Sequence, residues 1–399
     1  MENLLVNKVA AVKEVRQAAE YQKKKQACIL TGLAGSSKPV FFAAADKLLG
    51  GKGSMAFITA SREEIRTYRR ELNYLYPDLP MQELYPVSLP RVQADTQSLE
   101  LQAGRAAALR FLSGEERGIV FITAEALQQK QLRPSGMSGK ALQLAVGEEH
   151  EQRNIAAALL DLGYERTEQV DALGQFCLRG DILDVYPINS STAVRIEWFD
   201  NELDAMRSFD VDTQRSLQTL TSIKIAPLKV DESFSYDADI FEYCAADTMV
   251  VVDEPVHVFS MLEKLDKENK EHASELFGKQ ELIEQLAANG AVLVSALGHS
   301  YLQQLPSLNI PVRAVAPYNK NTNLLVEDLQ NWLAEGITPL IMLSGSIKAR
   351  GFADNLRNYG LKGHFSQKSF EPGVVNVTYG DLDLSLIHIS EPTRHSLIS

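Results

Sequence analysis

Apolar and polar positions along the chain change period twice, and the changes divide it. In the first hundred or so residues, helical stripes alternate with short apolar runs. Asn7 to Lys25 reads as a helix with one polar face, Ala27 to Thr31 as a strand, Val40 to Leu49 as a helix and Met55 to Thr59 as a strand. Arg62 to Leu75 reads as an exposed, charged helix, Leu99 to Leu112 as an Ala-rich helix and Gly118 to Thr123 as a buried strand. Strands alternating with helices predict a mainly parallel sheet with helices on its faces.

Near Gly139 the period shortens to two. From Ala141 to Leu228 the strands are closely spaced and half-buried, as in Val194-Arg195-Ile196-Glu197-Trp198-Phe199, with one helix from Glu151 to Leu162. That pattern predicts an α+β insert. After Leu228 the first rhythm returns, with strands at Thr248 to Val252 and Ala291 to Ser295 and helices at Val256 to Asn269 and Lys279 to Asn289. A further unit begins near Asn321, with helix Leu324 to Glu335, strand Pro339 to Leu343 and helix Ala349 to Tyr359. The expected fold is α/β: a parallel-sheet domain in two parts, 1–139 and 229–320, an inserted α+β domain at 140–228, and a small, incomplete α/β domain at 321–383.

Leu384 to Arg394 continues none of these patterns and resembles the translation of a transposon-end sequencing adapter. Residues 384–399 are therefore expected to be an adapter-derived, unstructured tail, with natural sequence to about Asp383.

Composition narrows the function classes. The formal net charge is −12, against the basic balance usual in proteins that live on phosphate contacts, although a local basic patch remains compatible with it. Cys28, Cys177 and Cys244 are far apart and lack a CxxC partner, so neither a disulfide framework nor structural zinc is expected. The seven histidines do not fall at metal-ligand spacing, and no metal site is expected. With no cationic leader and no apolar run of membrane-spanning length, the expectation is a cytoplasmic protein without a membrane partner.

Gly32-Leu33-Ala34-Gly35-Ser36-Ser37-Lys38-Pro39 lies between a predicted strand and a predicted helix, where a phosphate loop would sit. Gly32 and Lys38 are in register with GxxxxGK. Ser37 stands where the second glycine is needed, and its Cβ obstructs the backbone cradle. Pro39 replaces the Ser or Thr whose hydroxyl would bind Mg²⁺. The loop is expected to be inactive. Asp253-Glu254 ends an apolar run in the manner of a Walker B pair, and without a working loop it reads as vestigial or structural.

Gly163-Tyr164-Glu165-Arg166, the stretch Gly174 to Pro187, the stretch Val194 to Glu202 and the stretch Arg207 to Ser216 together resemble the signature of domain 2 in the transcription-repair coupling factors (Mfd). Similarity in pattern runs from about Leu30 to Asp383. UvrB shares this domain but keeps an intact phosphate loop and a long hairpin. Here the corresponding stretch, Leu84 to Asp95, leads almost directly into the helix from Leu99. The resemblance implies a degenerate helicase-like α/β domain carrying a UvrA-binding insert. It also implies a parent that acts on stalled RNA polymerase and double-stranded DNA, with ATP and Mg in a motor beyond residue 383. No catalytic residue and no cofactor is expected in the present chain.

The same resemblance marks Arg179, Arg195 and Phe199 as UvrA contacts. Residue chemistry is compatible with that role: Arg195 and Phe199 share a strand face, and arginines with an exposed aromatic are favoured at interface hot spots. The alternative is that the arginines pair with Asp181, Asp184, Glu197 or Asp200 and Phe199 is core. Two other functions stay open: a UvrB-like ATPase that binds damaged DNA, and a nonspecific DNA-binding module.

Overall fold

The computed structural model describes residues 4–33, 35–89, 99–134, 141–228, 236–296, 304–310, 312–314, 318, 321–380, 387–390 and 396–398. The chain forms two compact units, one of Met1–Met81, Asp247–Met261 and Gln280–Ser399, the other of Gln82–Ala246 and Leu262–Lys279.

The first unit holds five parallel strands in the order Ser307–Asn309, Cys28–Thr31, Val292–Ser295, Met249–Asp253, Met55–Thr59. Met55–Thr59 and Met249–Asp253 are buried at every position, as continuous apolar runs in a two-sided parallel sheet require. Their approach leaves no room at Gly53, where a Cβ would stand 2.1 Å from the Asp247 carbonyl oxygen. Helix Ser37–Leu48 buries Phe41 and Phe42, and Phe42 meets Phe57 edge-on at 4.9 Å.

The same unit contains a smaller parallel sheet, with Val375–Tyr379 between Leu340–Leu343 and Gly363–Phe365. Helices Thr322–Ala334 and Ser346–Asn355 contribute Leu329, Ala349 and Ala353 to its core. The Tyr74 hydroxyl donates to the Tyr379 carbonyl at 3.3 Å.

The second unit contains the α+β insert. Six strands run in the order Ser216–Leu220, Glu202–Phe209, Ala193–Phe199, Ile182–Val185, Gln175–Arg179, Glu165–Arg166, antiparallel except for the last pair. Their inward positions, among them Phe176, Leu183, Val194, Ile196 and Met206, pack with Ile155 and Leu159 of helix Gln152–Asp161. Trp198 seals the end of this core, its indole donating to the His150 carbonyl at 2.9 Å.

Four expectations are corrected. The span Asn7–Lys25 is two helices, Leu4–Val9 and Lys13–Lys23, because Val9, Ala10 and Val12 are all buried and the chain turns to place them there. Helix Arg62–Leu75 has the expected bounds but is not solvated all round: Ile65, Tyr68, Glu71 and Leu72 are buried. The helix expected from Ala349 to Tyr359 begins at Ser346 and tightens to a 3₁₀ turn at Leu356–Tyr359. The tail is not wholly unstructured: Ile387–Ser390 pairs antiparallel with Val312–Ala314 and with Ser396–Ile398, as its β-branched alternation permits. Residues 90–98, on which the short-connection reading of Leu84 to Asp95 depends, lie outside the described residues, as does the rest of the tail.

Candidate functional site

The inner face of the insert sheet is closed by its helix, so the chemistry available to a partner lies on the outer face. Cys177, Asp184, Arg195 and Arg207 stand opposite one another across four strands, and side chains in one such row share a face. Arg179 lies two residues beyond Cys177, and Glu197 and Phe199 lie two and four beyond Arg195, so all belong to this face. At one end a small apolar cluster covers it: Val170, Cys177, Ala193 and Phe209. Beyond that cluster the face opens.

Asp184 is the centre of the arrangement. Its side chain is only 2% exposed, and a buried carboxylate needs compensation. Arg195 supplies it in bidentate form, Nε to Oδ1 at 2.6 Å and Nη2 to Oδ2 at 2.8 Å. Arg179 Nη2 adds a third contact to Oδ2 at 3.3 Å. The hydrogen bonds that Arg195 donates to Asp184 hold its guanidinium above its already high ordinary value. Arg195 also lies over the Phe209 ring at 4.7 Å and donates to Gln214 Oε1 at 3.2 Å. Arg207 pairs with Glu197 alongside.

Arg195 is therefore mostly enclosed, its side chain 20% exposed, whereas Arg179 keeps 56% of its side chain in solvent. Phe199 is 73% exposed, and Ile182 is also exposed. The three sequence-marked residues thus share a face but differ in access. The alternative reading holds for the arginines, which both take Asp184, and fails for Phe199, which is not core. Sequence reasoning missed Arg207, Phe209 and Ile182; their part depends on strand register across hairpins.

The phosphate-loop region is joined to the acidic pair. Gly32 has φ +86°, and a Cβ there would meet the Ile310 carbonyl oxygen at 2.5 Å. Gly35 is also left-handed, at φ +52°. Ser37 opens the helix, and Pro39 fits its first turn, where no N–H is needed. Ser36 bonds to the buried Glu71 carboxylate. Lys38, with a side chain 9% exposed, reaches Asp253 Oδ1 at 2.6 Å and Glu254 Oε1 at 2.8 Å. Glu254 adopts φ +42°, and its carboxylate accepts from the Ala296 amide at 3.0 Å and the Ser295 hydroxyl at 3.3 Å.

Burial pulls the Lys38 ammonium down, but Asp253 and Glu254 outweigh it and leave the group above its ordinary value. Burial pushes Glu254 up, and Lys38, Ala296 and Ser295 outweigh it, leaving its carboxyl below the ordinary range. The cation that a working loop would turn to phosphate is thus spent on the two acids. Among the described residues no cluster of three or more His, Cys, Asp or Glu is placed to hold a metal ion, and no helix is long and apolar enough to cross a membrane.

Comparison with known proteins places names beside this geometry. Residues 142–230 match the UvrB interaction domain family. Over 92% of its length the chain is 24% identical to the transcription-repair-coupling factor of Bacillus subtilis, covering 38% of that protein. Half of the chain is 32% identical to the corresponding factor of Staphylococcus haemolyticus, covering 17% of it, and 41% is 28% identical to that of Escherichia coli, covering 14%. The chain spans less than two fifths of the length of these relatives.

Replacing Lys38 by Ala is expected to destabilise its unit by about 3 kcal/mol near neutral pH, because it takes the cation from the buried Asp253 carboxylate and from the half-buried Glu254. Glu254 titrates lower in the folded chain than unfolded, so its share of the pairing is complete above the unfolded value of 4.5 and disappears as pH falls through the lower folded value. Urea unfolding of parent and Lys38→Ala at neutral and acidic pH should therefore show a gap that narrows on acidification. A variant as stable as the parent at neutral pH would contradict the pairing.

Proposed function

We propose that this chain is the UvrA-docking part of a factor that couples transcription to nucleotide excision repair. Its similarity to transcription-repair-coupling factors supports the setting, and the match of residues 142–230 to the UvrB interaction domain supports the module. The observation that carries the reading is Phe199, exposed on the same open face of that module as Arg179. An aromatic and an arginine form the residue set that dominates binding energy when desolvated at the centre of an interface. Arg195 acts differently: with Asp184 it fixes the platform from which Arg179 projects. Action on stalled RNA polymerase, and ATP-driven movement on double-stranded DNA, belong in this proposal to the whole factor.

Within the proposal the present chain is non-catalytic and holds no cofactor. The competing reading, a UvrB-like ATPase, needs a lysine free to meet phosphate and a hydroxyl to meet Mg²⁺. Lys38 is engaged by Asp253 and Glu254, and Pro39 offers no hydroxyl. Calorimetric titration with Mg-ATP is expected to give no binding tighter than millimolar; a micromolar Kd would favour the ATPase.

Binding to purified UvrA on a sensor surface tests the docking face. Phe199→Ala is expected to cost roughly 2 kcal/mol or more, about thirtyfold in Kd, and Arg179→Ala a comparable amount. Ile347→Ala, at a position exposed in the smaller sheet's domain, should change Kd by less than about twofold. Folded Phe199→Ala and Arg179→Ala variants that bind as tightly as the parent would refute the assignment.

A further inference from the structure

We propose that residues 147–150 and the Trp198 indole form a brace that holds Phe199 in its docking geometry, so that Trp198 is a positioning residue for UvrA binding. The inference rests on the docking reading given above. Phe199 ends strand Ala193–Phe199 and pairs with Glu202 across a two-residue turn of Asp200 and Asn201. The ladder is broken just before it: Glu197 stands opposite Ala205, but Trp198 stands opposite Leu203. A bulge interrupts pairing and bends the strand, so the sheet alone does not carry the tip. Asp200 is also left-handed, at φ +54°, a conformation that costs a non-glycine residue free energy and persists where its surroundings hold it.

Those surroundings are the segment that leads into helix Gln152–Asp161. It runs antiparallel to the tip, with Glu149 opposite Glu202. The His150 amide donates to the Asn201 carbonyl at 2.8 Å, the Leu203 amide to the Glu148 carbonyl at 2.9 Å and the Gly147 amide to the Leu203 carbonyl at 2.8 Å. From the hairpin's other strand the Trp198 indole donates to the His150 carbonyl at 2.9 Å. Both strands of the tip are thus tied to one segment. The segment has a fixed shape of its own. Gly147 turns at φ +89°, and the Glu148 carboxylate closes the turn, accepting from the Ala145 amide at 2.9 Å and meeting His150 Nε2 at 3.1 Å.

These contacts bear on Phe199 through the pleat. Successive side chains of a strand point to opposite faces, so an indole fixed on the inner face sets the direction of the next residue on the outer one. Trp198 is buried, whereas Phe199 is mostly exposed and gains little order from the core. An exposed anchor that is already ordered loses less freedom when a partner closes over it, and affinity rises by that difference.

The test is a double-mutant cycle on UvrA affinity, measured with the full chain on a sensor surface. Trp198→Phe keeps an aromatic ring in the core and removes the indole donor. Gly147→Val puts a β-branched residue at a left-handed position in open space and perturbs the brace from its other end. Each is expected to weaken UvrA binding by about three- to tenfold. In a Phe199→Ala background each should weaken it by less than about twofold, since the anchor they position is gone. Amide exchange at residues 199–202 should quicken in both variants, while that of strand Ile182–Val185 stays at the parent's rate. Losses of the same size with and without Phe199 would overturn the proposal, because a segment that touches UvrA itself would weaken binding in either background. A matching rise in exchange at Ile182–Val185 would also overturn it, by marking a general loss of stability. Parent affinity in both brace variants, with Phe199→Ala still weakened, would overturn the brace and leave the docking face standing. Parent affinity in Phe199→Ala would remove the docking reading, and the brace with it.

Discussion

Asp184 sits beneath two guanidinium groups with 2% of its side chain in contact with water, and the open face of the insert is organised around it. A carboxylate in that position is costly unless paired and hydrogen-bonded. Arg195 meets both oxygens, and stacking on Phe209 and bonding to Gln214 fix its own plane. Arg179 reaches the same carboxylate at 3.3 Å while 56% of its side chain stays in solvent. Phe199 follows from the pleat: Ile196 and Trp198 must face the core, so 195, 197 and 199 face out. The helix Gln152–Asp161 packs on the inner face, and on the outer one Phe199 and Arg179 stay exposed.

The same electrostatics produces the opposite outcome around Lys38. There the cation is the enclosed group, and it is met by two carboxylates at the end of a parallel strand. Ser37 opens the helix, Pro39 fits its first turn, and Lys38 beside them is paired with Asp253 and Glu254. In one unit a buried cation thus ties helix Ser37–Leu48 to strand Met249–Asp253, and in the other a buried carboxylate anchors two arginines.

Much of the architecture follows from periodicity. The runs Met55–Thr59 and Met249–Asp253 are parallel strands buried at every position, and the alternation in Ala193–Phe199 separates core from surface residue by residue. Departures occur where distant packing decides. The break at Val12 answers to burial, and the contact between Lys38 and Asp253 joins residues 215 positions apart. Helix Arg62–Leu75 reads as solvated because its charges outnumber its buried stripe of Ile65, Tyr68 and Leu72. On the outer face of the insert, residue types and the family resemblance together bring out Arg179, Arg195 and Phe199. That Asp184, rather than Asp181 or Glu197, is the acid both arginines share depends on register, since Arg195 stands opposite Asp184 across the hairpin.

Site-specific photocrosslinking tests most directly the claim that the outer face is where UvrA docks. A photoreactive phenylalanine analogue at position 199 is compared with the same residue at 160. Leu160 is half exposed, but it lies on the helix that covers the sheet's other face. Crosslinks to UvrA from position 199 and none from 160 are the expected result. Equal crosslinking from both, or crosslinks from 160 alone, would contradict the account.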